Sequence, residues 1–173
     1  MSTEAARRFD PYAILAALER ERVYYIVVGA LARVIVGADE TTPGIDITPS
    51  ATEENLRRLD HALSSISARR RDGTPPALDQ VDYQHEPVVE LQTDCGQVKV
   101  VPYPAGSRGY DDLRRNAERQ PIGRGLRPSV ASPADLARML NALGREEDRP
   151  KLRSLRRLIE IEHELHRGRS IER

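Results

Sequence analysis

Residues 24–49 have the sequence YYIVVGALARVIVGADETTPGIDITP, and the predicted fold is organised around this stretch. Its first five residues are aromatic or aliphatic and end at Gly29, which indicates a buried strand. Residues 30–36 carry apolar side chains at helical spacing, which predicts a short helix. A polar turn leads to Ile45-Asp46-Ile47, a second strand in which Asp46 points to the face opposite its neighbours.

This succession of strand, glycine turn, helix and acid-bearing strand predicts a nucleotide site. A glycine at position 29 lets a triphosphate approach the backbone, and the N-terminus of the following helix attracts an anion. The acid on the second strand, Asp46, is of the type that holds a divalent metal ion, because magnesium takes oxygen ligands.

Composition limits the class of protein. The chain has 173 residues, a net charge of 0 and 39% hydrophobic residues, which supports one ordinary core and shows no overall attraction to nucleic acid. A single cysteine, Cys95, excludes a disulfide framework and a cysteine-based zinc site. The N-terminus has no apolar core of a signal peptide, and no apolar run approaches the length of a membrane span. We therefore expect a cytoplasmic protein without a membrane partner.

The remaining pattern predicts an α+β fold in which helices flank a small mixed sheet. Residues 1–131 form the main domain, and residues 132–173 form a C-terminal helical segment packed on it as one compact unit. The stretch 69–86 is polar and is predicted to be a long loop, of the kind that is often functional or mobile. The other predicted elements are helices over 10–22, 50–66, 110–118, 132–143 and 149–166 (the last burying Leu152, Leu155, Leu158, Ile159 and Leu165), a hairpin of 88–91 with 98–101, and a short strand within 126–131.

The central stretch resembles the first motif of the nucleotidyltransferase superfamily, and within it the AbiE-type toxin nucleotidyltransferases. That motif has a hydrophobic strand, a Gly-Ser or Gly-Gly pair, a helix and then Thr-x-Asp-x-Asp. Gly29-Ala30 stands at the glycine pair, Thr42 at the threonine and Asp46 at the second aspartate. Gly44 stands where the family has its first aspartate.

Later segments extend the resemblance over residues 10–160. Residues 96–101, GQVKVV, are similar to the family's Gly-x-Val-Asp strand, with Lys99 at the third acid. Residues 130–136, VASPADL, followed by Arg145 and Asp148, are similar to its final helix pair. The resemblance implies a nucleotidyltransferase fold in which Gly29, Ala30, Thr42, Arg145 and Asp148 bind the nucleotide.

The departures from the family pattern fall on the metal site. Three carboxylates hold the metal ions in the family, and the matching positions here are Gly44, Asp46 and Lys99. The site charge would change from about −3 to about 0, which leaves little to bind magnesium. Lys99 would itself pair with Asp46, and Leu140 and Glu147 stand where the family has lysines. The resemblance therefore implies impaired catalysis. Asp46 is the one catalytic acid that is retained, and if any residue binds a metal ion it is Asp46. Mg²⁺ is expected as a cofactor only if the protein is active.

Three functional interpretations remain open. The first is a protein that has lost catalysis and binds a nucleotide or a partner, such as a cognate antitoxin or a tRNA. The second is an active metal-dependent nucleotidyltransferase toxin that modifies tRNA or protein, with Asp39, Glu40 or Asp94 as the replacement acid. The third is a purely structural or regulatory protein in which the fold is a platform for a partner. If the lost acids are the cause of impairment, aspartates placed at positions 44 and 99 should restore metal affinity.

Each residue also has a structural alternative. Gly29 would then only end a strand, and Asp46 would be a capped or ion-paired structural acid. Lys99 would lie on the solvent side of an edge strand, and Arg145 and Asp148 would form a local ion pair.

Overall fold

The computed structural model describes residues 8–171. Residues 1–7, which carried the expectation of no signal peptide, lie outside the described part. Within it, no helix is both long enough and apolar enough to cross a membrane. The helices and strands are α1 (Pro11–Arg20), β1 (Tyr25–Val28), α2 (Gly29–Ile35), β2 (Gly44–Pro49), α3 (Glu53–Ser64), β3 (Val89–Thr93), β4 (Gly96–Val100), α4 (Tyr110–Leu113), β5 (Glu118–Arg119), β6 (Ser129–Val130), α5 (Pro133–Leu143) and α6 (Arg149–Ile171).

The six strands form one mixed sheet in the order β3-β4-β2-β1-β6-β5. The pairs β1–β2, β3–β4 and β5–β6 are antiparallel, whereas β2–β4 and β1–β6 are parallel. Strand β4 therefore lies between β2 and β3, so the alternative that Lys99 sits on an edge strand is wrong. The predicted α+β class with a small mixed sheet is confirmed.

The two faces of the sheet differ along β2, β4 and β3. Side chains on one face are apolar and at most 8% exposed, and they form the floor of the core. On the other face the alternate positions of the same strands carry Asp46, Lys99 and Glu90, which retain contact with solvent. The buried face, which continues onto β1, comprises Tyr25 and Val27 of β1 and Ile45, Ile47, Val89, Leu91, Val98 and Val100 of the other three strands.

Three helices begin where a side chain caps the first turn. Asp10 accepts a hydrogen bond from the backbone of Ala13 before α1, and Ser132 accepts one from Asp135 before α5. Proline takes the first helical position of both helices, where it leaves no donor unsatisfied. Thr52 caps α3 in the same way. The starts of α1 and α5 were predicted from these residues.

Two predicted helices have different bounds. The helix expected over 110–118 ends at Leu113, and Glu118 instead pairs with Val130 in β5, an edge strand that was not predicted. Helix α6 extends to Ile171, but only Leu155 is fully buried on it, and Leu165 is 60% exposed. The expectation that Leu165 is buried is wrong, because residues 160–171 extend past the body on which the helix packs.

The long polar stretch 69–86 is an ordered connection. The Asp60 carboxylate accepts hydrogen bonds from the backbone N–H of Leu78, whose side chain is fully buried. Arg70 forms an ion pair with Glu86 across the base of the loop. At the other end of the chain, α5 packs against both α2 and α6. The boundary between residues 131 and 132 stays a prediction.

Candidate functional site

A row of charged side chains crosses the open face of the sheet. The strand register places Asp46 beside Lys99 and Lys99 beside Glu90, on three adjacent strands. The Lys99 ammonium lies 3.7 Å from the Glu90 carboxylate. Asp46 has no ion pair within 4.0 Å of a described residue, so the expected direct pairing of Lys99 with Asp46 is wrong. We refer to Asp46, Lys99 and Glu90 as the charged row.

Gly29 provides the space in which the Asp46 carboxylate lies. A Cβ atom built on Gly29 would come within 2.3 Å of Asp46 Oδ2, so any other residue would displace the acid. Gly29 also has a φ of +69°, a left-handed conformation that side chains disfavour. The glycine that ends β1 is therefore needed on two independent grounds, and the alternative that it merely ends a strand is insufficient.

A second ion pair, between Arg33 and Glu40, lies near enough for the Arg33 charge to act on Asp46. Arg33 of α2 is 6% exposed and holds Glu40 through two hydrogen bonds, of 2.7 Å from Nε and 3.1 Å from Nη2. Glu40 lies in the connection between α2 and β2, so this bidentate contact ties that connection to the helix. In this structure both oxygens of the Glu40 carboxylate are therefore engaged by Arg33.

Burial raises the pKa of the Asp46 carboxyl, although the charges of Lys99 and Arg33 oppose the shift and that of Glu90 adds to it. The folded protein then holds this proton more tightly than the unfolded chain does. Stability is therefore lost as the pH rises from the ordinary aspartate value through the raised folded value. At neutral pH the ionised Asp46 therefore lowers the stability of the folded protein.

Replacing Asp46 with asparagine should therefore stabilise the protein at neutral pH. We expect Asp46→Asn to raise the Tm by about 2–4 °C at pH 7 and by less at pH 4, where the wild-type carboxyl gains its proton. Thermal unfolding at the two pH values measures this. Asp39→Asn, at an exposed neighbouring acid, is the control and should change the Tm little at either pH. A lower Tm for Asp46→Asn at pH 7 would contradict the argument.

At Gly44, the position of the family's first aspartate, there is no room for a side chain. A Cβ atom on Gly44 would lie 2.4 Å from the carbonyl oxygen of Gln97 and 2.8 Å from its Cβ, because β2 and β4 approach closely there. Thr42 donates its hydroxyl to the Gly44 carbonyl at 2.9 Å, and so holds the entry into β2. The structure places Thr42 in a local turn, and its predicted role in nucleotide binding stays a prediction.

The described residues do not form a conventional magnesium site. No group of three His, Cys, Asp or Glu side chains within residues 8–171 converges to hold a metal ion. Asp39 is exposed on the connection before β2. Asp94 lies in the β3–β4 turn, about 10 Å or more along the strand from Lys99. On this chain the charged row supplies two acids, Asp46 and Glu90, with a cation between them.

Arg145 and Asp148, predicted to bind the nucleotide, contact each other. Arg145 Nε lies 2.7 Å from Asp148 Oδ2, and Lys151 Nζ lies 3.2 Å from Oδ1. Desolvation opposes ionisation of the fully buried Asp148, but the hydrogen bonds from Arg145 and Lys151 outweigh it and lower its pKa. The two residues form the local ion pair that was one of the alternatives. Leu140, at a family lysine position, is buried in the core.

Sequence reasoning missed Glu90. A signal was available, because a two-residue turn at Asp94-Cys95 sets the hairpin register and places Glu90 opposite Lys99. The Arg33–Glu40 contact could not be predicted from the sequence, since Arg33 belongs to α2 and Glu40 to the irregular connection that follows it. Ala30, the second residue of α2, lies half-buried, and its predicted role in nucleotide binding stays a prediction.

Several solved nucleotidyltransferase structures resemble this fold. A candidate nucleotidyltransferase from Thermotoga maritima matches with a TM-score of 0.56 and 21% identity, over 81% of this chain and 86% of its own. The antibiotic-resistance factor ANT(2'')-Ia matches with a TM-score of 0.54 and 14% identity, over 93% and 91% of the two chains. The lincosamide antibiotic adenylyltransferase LnuA, with lincomycin bound, matches with a TM-score of 0.54 and 16% identity, over 87% and 99%.

No protein-family profile and no curated protein sequence matches the chain. At identities this low, similarity of structure establishes the fold and not the activity. The chain thus has a nucleotidyltransferase fold, which confirms the predicted fold, and its AbiE-type assignment stays a prediction.

Proposed function

We propose that this protein binds a nucleotide over the charged row and has lost metal-dependent nucleotidyl transfer. The observation that carries the proposal is the row itself. A cation stands between the two remaining acids, and the place of a further acid is closed by the backbone of Gln97. Metal-assisted nucleotidyl transfer needs several oxygen ligands around the ion. The charged row carries a net charge of −1, from two acids and one lysine.

Lys99 is suited to replace a metal ion as the cation that contacts a phosphate. Its side chain is 37% exposed and that of Glu90 is 59% exposed, so their 3.7 Å ion pair contributes little to stability. An ammonium on a four-carbon stem can turn from Glu90 to a ligand without loss of a buried contact. Gly29 allows the Asp46 carboxylate to lie directly against the start of α2, next to this lysine's strand.

The second candidate is an active, metal-dependent nucleotidyltransferase with a tRNA or protein acceptor, as in AbiE-type toxins. The observation that favours it is that Glu90 lies on the same face as Asp46. If Lys99 turned away, these two carboxylates could share one metal ion. The two candidates differ in what a divalent cation does, and the same experiment separates them.

We expect nucleoside triphosphates to raise the Tm of the protein in EDTA as well as in Mg²⁺, because the cation is part of the chain. Lys99→Gln should weaken the tightest-binding nucleotide by about 10-fold, which is the usual size of one charge-assisted hydrogen bond. Arg57→Gln is the matched control, since it removes a cation from the exposed ion pair with Glu53. Calorimetric titration gives the Kd values.

The same preparation should transfer no labelled nucleotide to RNA or to protein in Mg²⁺ or Mn²⁺. Transfer that requires the metal and is abolished by Asp46→Ala would establish the second candidate in place of the first. Absence of any nucleotide-dependent change in Tm would exclude nucleotide binding and favour a partner-binding role, for which an antitoxin is the predicted partner.

A further inference from the structure

A separate pocket of about 390 Å³ lies at the start of β1, away from the charged row. This volume is within the range of small-molecule sites. The pocket is formed where the end of α1, the start of β1 and the β5–β6 pair meet. Its charged lining residues are Glu19, Arg22, Arg119 and Arg127, and Tyr25 and Ser129 are among its polar ones.

Tyr25 places an unpaired donor in the wall of this pocket. The residue is 8% exposed, and its hydroxyl is buried without a hydrogen-bond partner among residues 8–171. Burial raises the pKa of Tyr25, Glu19 raises it further and Arg119 opposes the shift, so the hydroxyl keeps its proton. Buried hydroxyls without a partner are rare and destabilising, and a ligand oxygen at this place would satisfy it.

Arg22 has an unfavourable backbone conformation for an arginine. It follows α1 with a φ of +54°, and its N–H bonds to the Glu19 carbonyl while that of Val23 bonds to the Leu18 carbonyl. These two bonds define a Schellman motif, in which the left-handed position is usually glycine. Strain of this kind concentrates at functional sites. Arg22 lines the pocket, and a binding role of its side chain would explain why an arginine stands where glycine is usual.

The pocket has an excess of unpaired positive charge. Arg22, Arg119 and Arg127 form no ion pair within 4.0 Å of any residue in the described range 8–171, whereas Arg33, Arg57 and Arg138 each hold a carboxylate. With Glu19 as the one acid in the lining, the net charge is +2. Guanidinium groups bind phosphate oxygens through paired hydrogen bonds.

We propose that this pocket is a binding site for a phosphate monoester. The three guanidinium groups hold the dianionic phosphate, the Tyr25 hydroxyl donates to one of its oxygens, and Glu19 accepts a hydrogen bond from a hydroxyl of the esterified group. The net charge of +2 on the pocket lining then matches the charge of −2 on the phosphate. The site is independent of the proposed nucleotide cleft, since Tyr25 lies on the opposite face of the sheet from Asp46. In addition, Asp46 pairs with Val28 of β1, and Tyr25 lies about 10 Å along β1 from Val28.

The test is calorimetric titration of the whole chain in EDTA, at constant ionic strength, with ribose 5-phosphate, inorganic phosphate and acetate as probes. Ribose 5-phosphate should bind saturably, at least as tightly as inorganic phosphate and at least 10-fold more tightly than acetate. Tyr25→Phe should weaken ribose 5-phosphate about 10-fold with the fold intact. Arg22→Gly should weaken it by a similar factor and raise the Tm by about 2 °C, because glycine relieves the left-handed strain.

Arg20→Gln, at an exposed arginine of α1 that does not line the pocket, is the matched control and should bind like the wild type. Asp46→Asn and Lys99→Gln should also leave ribose 5-phosphate binding unchanged, so failure of the nucleotide proposal would not remove this one. No saturable binding, or wild-type binding by Arg22→Gly and Tyr25→Phe, would overturn the assignment. Equal binding of acetate, or binding of inorganic phosphate alone, would overturn the monoester.

Discussion

Gly44→Asp is expected to lower the free energy of unfolding by about 3 kcal/mol and to create no metal site. The new Cβ would lie 2.4 Å from a backbone oxygen of Gln97, in a paired strand that cannot move without losing its register. Overpacking of this kind usually destabilises by about 1–3 kcal/mol, and contact with backbone places the effect at the upper end. The change in the urea midpoint measures it.

Two glycine variants separate the steric effect from the effect of charge. Gly44→Ala should lose about as much stability as Gly44→Asp, since both add the same clashing atom. Gly168→Ala in α6 has nothing within 4 Å of its new Cβ and should be neutral or stabilising by up to about 1 kcal/mol. A stable Gly44→Asp protein that binds Mn²⁺ would show that β2 and β4 can separate. This close approach of the strands argues against the expectation that aspartates at positions 44 and 99 restore metal affinity, and the Mn²⁺ measurement tests it.

Gly29→Ala is expected to destabilise the protein by about 3 kcal/mol. The left-handed backbone alone accounts for about 1–2 kcal/mol in a residue with a Cβ atom. The contact of 2.3 Å with Asp46 Oδ2 adds the remainder, because the carboxylate must leave its place against the glycine. The same substitution should weaken nucleotide binding, since it changes the position of Asp46.

A double-mutant cycle divides these two causes. In an Asp46→Ala background the carboxylate is gone and the backbone strain remains, so Gly29→Ala should then cost only about 1–2 kcal/mol. Equal losses in both backgrounds would mean that Gly29 serves backbone geometry alone. Chemical denaturation of the four proteins gives the coupling energy between the two positions.

Much of the centre of the fold was predictable from the sequence. β1 and the β3–β4 hairpin follow from apolar runs bounded by glycine, and the alternation of Ile45, Asp46 and Ile47 predicts which face of β2 carries the acid. α1 and α5 follow from a capping residue before proline. These features are local, so short windows of sequence contain the information.

What could not be predicted depends on contacts between distant segments. The parallel register of β2 on β4 decides that Asp46 lies beside Lys99 and that Gly44 is closed by Gln97. β5 has two residues and no apolar pattern, and it forms only because β6 offers an unpaired edge. The exposure of Leu165 depends on where the body of the protein ends beneath α6.

The Arg33–Glu40 contact has a consequence for the proposed nucleotide binding. Because two hydrogen bonds fasten the α2–β2 connection to a buried arginine, this connection already has a fixed course in the free protein. A segment that is ordered beforehand loses little conformational entropy on association. If a nucleotide binds over the charged row, we therefore expect no reordering of this connection around it.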